Sequence, residues 1–178
     1  MASWGAAVPA PFVFTLKAPG RITHTRRLRD VDEPLRLFCE AAATLGARRG
    51  PLLFQLPPNF RKDAGRLADL LFRLPPDVRC AVEFRHDSWL TDDVYELLRR
   101  RDAALCIADT ESGTTPDVAT ASWGYLRLRD AGYTNAELGA WAARVQRRGW
   151  TDAFVYFKHG PKAPLLAKRL LRTIVTSQ

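Results

Sequence analysis

The sequence has few of the residues that usually mark a disulfide framework or a zinc site. Its 178 residues include three cysteines and three histidines, and no two cysteines form a CxxC pair. Cys80 and Cys106 lie within apolar runs, where a thiol behaves as a small buried hydrophobic side chain. The odd count and the spacing therefore argue against disulfides and against a zinc finger.

Long hydrophobic runs and a leader are also missing. No apolar stretch approaches the roughly 20 residues that a helix needs to cross a bilayer. The segment from Met1 to Gly5 lacks the basic and apolar regions of a signal peptide. We therefore predict a cytoplasmic protein without a membrane segment.

Acidic residues are scarce relative to basic ones. The chain has 27 Lys and Arg against 19 Asp and Glu, a net charge of +8. From Arg144 to Gln178, eight basic residues are accompanied by Asp152 alone. Such an excess is typical of nucleic-acid-binding proteins, but a general preference for arginine at the surface explains it equally well. Both interpretations stay open at this point.

Short apolar runs alternate regularly with segments of helical periodicity. The predicted strands are 12–17, 51–57, 80–84, 103–109, 124–129 and 153–157, and the predicted helices are 33–45, 61–74, 92–101, 135–148 and 164–175. Thr91 and Thr134 are the predicted caps of two helices, and Glu137 completes a capping box with Thr134. This alternation predicts one α/β domain, a parallel sheet covered by helices.

Two architectures fit this order, a doubly wound open sheet and a (β/α) barrel. An open sheet usually carries a Gly-rich phosphate turn after its first strand. Here the corresponding segment, 18–21, reads APGR, which is neither GxGxxG nor a Walker lysine motif. A barrel instead predicts functional groups at the carboxyl ends of several strands.

Polar side chains do follow most of the predicted strands at those ends. In chain order they are Lys17, Arg21, His24, Gln55, Glu83, Arg85, His86, Asp109, Arg127, Lys158 and His159. Each has a simpler explanation, since a histidine in a loop is usually solvated and an aspartate after a strand often caps a turn.

Glu83 differs because it lies inside a strand. Alternation places Ala81, Glu83 and Arg85 on one face and apolar Val82 and Phe84 on the other. In a barrel the apolar face contacts the helices, so Glu83 is expected to point toward the axis, where a carboxylate needs a partner, a metal or a proton. The same alternation extends this expected inward set to Lys17, Gln55, Asp109 and Arg127.

Donors outnumber acceptors in this set, which suits an anionic or polyhydroxylated ligand such as a phosphate or carboxylate. Glu83 and Asp109 are predicted to act as acid and base or to share a divalent metal, with His24, His86 or His159 as further ligands. The hypothesis of a shared metal has less support than acid/base catalysis, because no two histidines have the spacing of a metal-binding helix. The predicted catalytic residues are Glu83, Asp109 and His86, and the predicted substrate-binding residues are Lys17, Arg21, His24, Gln55, Arg85, Trp89, Arg127, Lys158 and His159.

Six motifs, in order, resemble the YecE-like family, a domain family of unknown function. They are FTLKAPGRITH, GPLLFQLPPNFRKD, AVEFRHDSW, LCIAD, GYLRLR and VYFKHGPKAP. The resemblance covers nearly the whole chain and implies a TIM-type barrel with these motifs at the carboxyl ends of its strands. It implies no settled reaction.

The sequence departs from that family at its beginning. The family's first strand, with a GTSGW-like motif, and a later strand around EINSTFY have no counterpart here. The resemblance therefore implies strands three to eight of eight, about 60 residues short at about 30 per unit of a barrel. An open barrel of this kind exposes two strand edges, which a second chain is expected to cover.

Three functions are compatible with these observations. The first is an enzyme acting on a phosphorylated or otherwise anionic substrate, with Glu83 as general acid/base or metal ligand and Asp109 as its partner. In this hypothesis Lys17, Arg85 and Arg127 hold the anion. The second is a non-catalytic nucleic-acid-binding protein that uses the basic C-terminal third. The third is an inactive truncated remnant.

Overall fold

The computed structural model describes residues 7–9, 11–110, 113–130, 132–158 and 160–176. It divides into two compact units, Met1–Ala103 and Ala104–Gln178. Parallel strands alternate with helices in both, so the prediction of an α/β fold with parallel strands is confirmed. No helix in the described ranges is both long and apolar enough to span a bilayer.

The first unit contains a three-stranded parallel sheet. Its strands are β1 (Phe14–Lys17), β2 (Arg49–Gln55) and β3 (Cys80–Glu83), and β2 pairs with both others. Its helices are α1 (Asp32–Ala43), α2 (Ala64–Arg73) and α3 (Asp92–Arg100). Three shorter turns of helix complete it, a π-helix at Arg21–Thr25 and 3₁₀ helices at Gly46–Arg48 and Asp87–Trp89.

Helix α2 shows how local sequence sets these elements. Asp63 caps its first turn, because its side chain accepts a hydrogen bond from the Arg66 backbone N–H at 3.1 Å. Leu67, Leu70 and Leu71 follow at helical spacing and are buried, while Phe72 on the opposite side is 90% exposed. Each buried leucine stabilises the unit by about 1.5–3 kcal/mol.

The second unit contains β4 (Ala104–Thr110), β6 (Gly124–Leu128) and β7 (Ala153–Phe157), which form a parallel sheet in that order. The two-residue strand β5 (Gly113–Thr114) pairs antiparallel with the end of β4. The helices are α4 (Asn135–Arg147) and α5 (Ala163–Thr176). Strand β5 lies in a segment expected to be a loop, because a strand of two residues shows no periodicity.

Both helices of the second unit cover one face of its sheet. The core there joins strand residues to helix residues, namely Ile107, Leu126, Leu128, Leu138, Trp141, Leu166 and Leu170. On β6 the side chains of Leu126 and Leu128 are two positions apart, and Ile107 of β4 lies opposite Leu126, so these strand residues share one face of the sheet.

The two expected helix caps have different outcomes. The capping box of Thr134 and Glu137 is confirmed, with the Glu137 N–H donating to Thr134 Oγ1 at 3.2 Å and the Thr134 N–H donating to Glu137 Oε2 at 2.8 Å. Thr91 occupies the N-cap position of α3, but its side chain makes no capping hydrogen bond. Its hydroxyl instead donates to the Asp93 carboxylate, so the expected cap at Thr91 is wrong.

Candidate functional site

Three polar side chains join across the strands of the first unit. Lys17 Nζ donates to Gln55 Oε1 at 2.8 Å, and Gln55 Nε2 donates to Glu83 Oε1 at 2.8 Å. One residue comes from the end of each strand, Lys17 from β1, Gln55 from β2 and Glu83 from β3. The amide of Gln55 therefore bridges a cation and a carboxylate, as alternation along the strands led us to expect for residues sharing a face.

The strand register explains this geometry. Gln55 lies directly opposite Glu83, and Leu53, two residues earlier on the same face as Gln55, lies opposite Lys17. Burial deepens along the chain of hydrogen bonds, since Lys17 is exposed, Gln55 is 7% exposed and Glu83 is 1% exposed. A buried carboxylate bonds strongly to a neighbouring amide, because no water competes for its oxygen atoms.

His24 brings a fourth group to this end of the sheet. It lies on the π-helix that begins with exposed Arg21, and its Nδ1 is 2.8 Å from Thr23 Oγ1. Burial lowers the pKa of His24, and the positive charges of Lys17 and Arg85 lower it further. The imidazole is therefore neutral at pH 7. His24, Lys17 and Arg85, three of the predicted substrate-binding residues, thus lie close enough for their charges to interact.

An arginine-lined cleft opens beside His24. Its volume is about 580 Å³, and it is lined by His24, Thr25, Arg26, Arg27, Arg29, Asp30 and Arg66. Sequence reasoning missed these four arginines. The available signal was the run TRRLR directly after the first strand and its turn, but Arg66 reaches the cleft from α2, much further along the chain.

His86 and Trp89 have local structural roles. His86 Nδ1 accepts the Ser88 backbone N–H at 3.1 Å and so caps the 3₁₀ helix. Trp89 is 0% exposed, its Nε1 donates to the Phe60 carbonyl at 2.7 Å, and its ring stacks on Phe84 at 4.9 Å. The Trp89 side chain is thus fully occupied by packing and has no solvent-accessible surface. Its substrate-binding role stays a prediction.

In the second unit, Asp109 lies at the end of β4 and accepts two short hydrogen bonds. Thr114 Oγ1 donates to Oδ1 and Tyr133 OH donates to Oδ2, each at 2.5 Å. Burial, followed by the hydrogen bond to Asp109, raises the pKa of Tyr133 well above its usual value. Tyr133 and Thr114 were not among the predicted site residues.

Asp109 does not share a face with Arg127, contrary to the expected inward set. In the β4–β6 register Asp109 lies opposite Leu128, whereas Arg127 lies opposite Ala108. Leu128 belongs to the core under the helices, so Asp109 is on the helix-covered face and Arg127 on the other. The alternation within each strand was correct. Because β4 is apolar on both faces, however, the face that carries Asp109 was wrongly taken as the one that points away from the helices.

The other predicted residues of this unit are Lys158 and His159. Lys158 is exposed, and its backbone N–H donates to the Leu128 carbonyl at 2.9 Å, continuing the ladder beyond β7. His159 lies outside the described residues. Across the part of the chain that the structure describes, no group of three His, Cys, Asp or Glu side chains is placed to hold a metal ion, so the divalent metal stays a hypothesis.

Comparison with known proteins agrees with the fold. The chain is similar to a DUF72 family protein from Thermotoga maritima, with 24% identity and a TM-score of 0.80 over 97% of this chain and 76% of that one. A crystal structure of a DUF72 family protein from Enterococcus faecalis gives 18% identity and a TM-score of 0.82 over 98% and 78% of the two chains. At these identities the likeness establishes the fold alone. No curated protein matches.

The family model described as "Protein of unknown function DUF72" matches residues 1–178. That match includes every motif on which the YecE-like resemblance rested. The chain therefore belongs to the DUF72 family, with which the YecE-like name is consistent.

Proposed function

We propose that this protein is an enzyme that acts on a phosphorylated or otherwise anionic substrate at the carboxyl ends of β1, β2 and β3. In this proposal Glu83 exchanges a proton with the substrate, and Lys17 and Arg85 hold the substrate's negative charge. Gln55 fixes the orientation of the Glu83 carboxylate. The role of Asp109 as a partner of Glu83 stays a prediction.

The observation that carries this proposal is the buried carboxylate of Glu83 joined through Gln55 to Lys17. An ionisable group that is 1% exposed is costly to keep, and such groups concentrate at functional sites. Lys17 and Arg85 are the cations that this proposal assigns to the substrate anion.

We further propose that the strands of both units belong to a TIM-type barrel, as the family resemblance implies. Active sites of such barrels lie at the carboxyl ends of the strands, which is where Lys17, Gln55 and Glu83 are found in the first unit. We also propose a cytoplasmic location, because all three cysteines are free and buried, as is usual in a reducing compartment.

The test is turnover of phosphate esters by the wild-type chain and by Glu83→Gln. The panel includes p-nitrophenyl phosphate, bis-p-nitrophenyl phosphate and sugar phosphates, each with and without Mg²⁺ or Mn²⁺. Glutamine keeps the size of Glu83 and an oxygen for the Gln55 amide, so folding persists while proton transfer is lost. We expect kcat to fall by about 10²–10⁴-fold.

The matched control is Glu96→Gln on α3, where the carboxylate is exposed and pairs with Arg100. It makes the same chemical change outside the site and is expected to leave kcat unchanged. Circular dichroism of both variants verifies their folding. Full activity of a folded Glu83→Gln protein, or a wild-type chain that turns over none of these esters, would contradict the proposal.

A second candidate function, nucleic-acid binding, is favoured by the surface of α5. This helix exposes Lys168, Arg169 and Arg172, and a row of cations of this kind binds phosphate backbones without sequence preference. Such binding would weaken steeply between 50 and 200 mM salt, roughly in proportion to the number of contacted phosphates. It would also survive Glu83→Gln, which separates it from the enzymatic proposal.

A further inference from the structure

The four arginines of the cleft differ in what their guanidinium groups already bind. Arg66 Nε pairs with the Asp63 carboxylate at 2.8 Å, and Arg26 donates to the Asp30 carbonyl oxygen. The Arg27 guanidinium lies over an aromatic ring, with its Cζ 6.0 Å from the centre of Phe60.

The guanidinium of Arg29 makes no hydrogen bond or ion pair in the part of the chain that the structure describes. Within the described residues, Arg66 is the one cleft arginine that pairs with a carboxylate, and Arg26 donates to a backbone carbonyl. The guanidinium groups of Arg27 and Arg29 are therefore the two with neither a hydrogen bond nor an ion pair there, and both line one concave surface.

An unusual backbone presents these two arginines. Arg27, Leu28 and Asp30 all adopt positive φ, at 47°, 66° and 50°. Non-glycine residues rarely hold this conformation, and the surrounding structure must enforce it. Here the Leu28 N–H donates to the Ile22 carbonyl at 3.0 Å and its side chain is buried. The buried leucine anchors the turn, and its two neighbours, Arg27 and Arg29, line the cleft.

The Phe60 ring lies beside two of the cleft arginines. The Arg66 Cζ lies 5.7 Å from the centre of the Phe60 ring, and Arg27 contacts the same ring. The Arg66 guanidinium also donates to the Arg27 carbonyl at 3.3 Å. The Arg66 guanidinium is already held by a ring and a carbonyl, so it loses little conformational entropy when an anion binds. The entropic cost of binding is therefore small for this side chain.

The charge of the cleft favours an anion. Asp30 is the single carboxylate among the lining residues, against four arginines. Planar guanidinium groups bind phosphate oxygens through paired hydrogen bonds. The volume of about 580 Å³ falls within the usual range of small-ligand sites.

We propose that this cleft binds the phosphate group of a small phosphorylated ligand through Arg27 and Arg29, supported by Arg26 and Arg66. His24 lines the cleft and also interacts with Lys17, so the cleft adjoins the site built on Glu83. This inference rests on the proposed function where it identifies the ligand as the substrate of that site. Phosphate binding itself does not depend on catalysis by Glu83.

The test uses inorganic pyrophosphate and inorganic phosphate as probes, with affinity measured by titration calorimetry. The test protein carries Arg27→Gln and Arg29→Gln together. The matched control carries Arg99→Gln and Arg100→Gln on α3, which remove the same charge from exposed arginines that pair with Glu96. We expect the cleft variant to bind pyrophosphate at least about tenfold more weakly, the loss of one charge-assisted hydrogen bond, and the control to bind within twofold of wild type.

Three results would overturn the inference. Wild-type protein that binds neither probe contradicts it directly. Equal loss of affinity in the two double variants shows that only net charge matters. An oligothymidylate that binds far more tightly than pyrophosphate, and loses affinity in the cleft variant alone, assigns the cleft to nucleic acid instead of a small ligand.

The Glu83→Gln protein separates this inference from the proposed function. It is expected to bind pyrophosphate like wild type while losing turnover. If it keeps both binding and turnover, the enzymatic proposal fails and the phosphate site stands. For a turned-over ester, the cleft variant is expected to raise KM much more than it lowers kcat, because Arg27 and Arg29 bind the substrate without taking part in proton transfer.

Discussion

The hydrogen bond between Gln55 and Glu83 is the contact whose energy the structure specifies best. Both side chains are buried, and Nε2 lies 2.8 Å from Oε1. A hydrogen bond to a charged group contributes about 1.5–3 kcal/mol, and burial prevents water from replacing it. The bond from exposed Lys17 to Gln55 adds at most about 1 kcal/mol. Gln55→Leu should therefore lower the free energy of unfolding by about 1.5–4 kcal/mol.

A double-mutant cycle isolates the pairwise part of that loss. Glu83→Leu leaves the Gln55 amide without its acceptor, at a cost of about 1–3 kcal/mol. The protein with both leucines no longer contains either group, so its loss should be smaller than the sum of the two single losses. We expect a coupling energy of about 1–3 kcal/mol. Glu83 has further interactions, which each variant that lacks the carboxylate loses equally.

The assay is equilibrium unfolding in urea at pH 7, followed by circular dichroism. The control cycle pairs Gln55→Leu with Arg36→Ala, which removes an exposed ion pair with Glu40 on α1. Those two substitutions should be additive. Additivity of Gln55→Leu and Glu83→Leu within about 0.5 kcal/mol would refute the reasoning, since it would mean that the two side chains do not stabilise each other.

Two further predictions concern pH and thiol chemistry. The pKa of Tyr133 is raised in the folded state, so the unfolded chain loses this proton first and wild-type stability should fall as pH rises above about 10. Tyr133→Phe should lose about 1–2 kcal/mol at pH 7 and show a shallower decline in urea titrations at high pH, and parallel declines would contradict the role of Tyr133. Burial raises the pKa of Cys80 to about 12 and raises that of Cys39, and Cys106 is also buried. Ellman's reagent at pH 8 should therefore label the native chain slowly, and should label all three thiols once guanidinium chloride unfolds the chain. Rapid labelling of all three thiols in the native protein would contradict their burial.

The strands and long helices of this protein were predictable because each carries its own periodic signal. Short apolar runs predicted β2 and β3, and leucines at helical spacing predicted α2. The π-helix at Arg21–Thr25 and the two-residue strand β5 escaped prediction. Both depend on hydrogen bonds within a loop, which leave no periodic pattern in the sequence.

The candidate site was predictable in part, for the same reason. Alternation placed Lys17, Gln55 and Glu83 on one face, and the structure joins them. It did not reveal that Asp109 lies on the helix-covered face, because both sides of β4 are apolar. The arginine cleft was missed because Arg66 reaches it through tertiary packing, which no local pattern encodes.

The register between β1, β2 and β3 has a consequence for folding. Along β2, Gln55 is flanked by Phe54 and Leu56, both fully buried. A slip of one residue would replace the Gln55 amide with an apolar side chain, and both of its hydrogen bonds would be lost at once. The mispaired sheet would hold a buried carboxylate beside a hydrocarbon side chain. The hydrogen bonds that link Lys17, Gln55 and Glu83 therefore destabilise a shifted register relative to the native one, and so favour correct pairing of these strands.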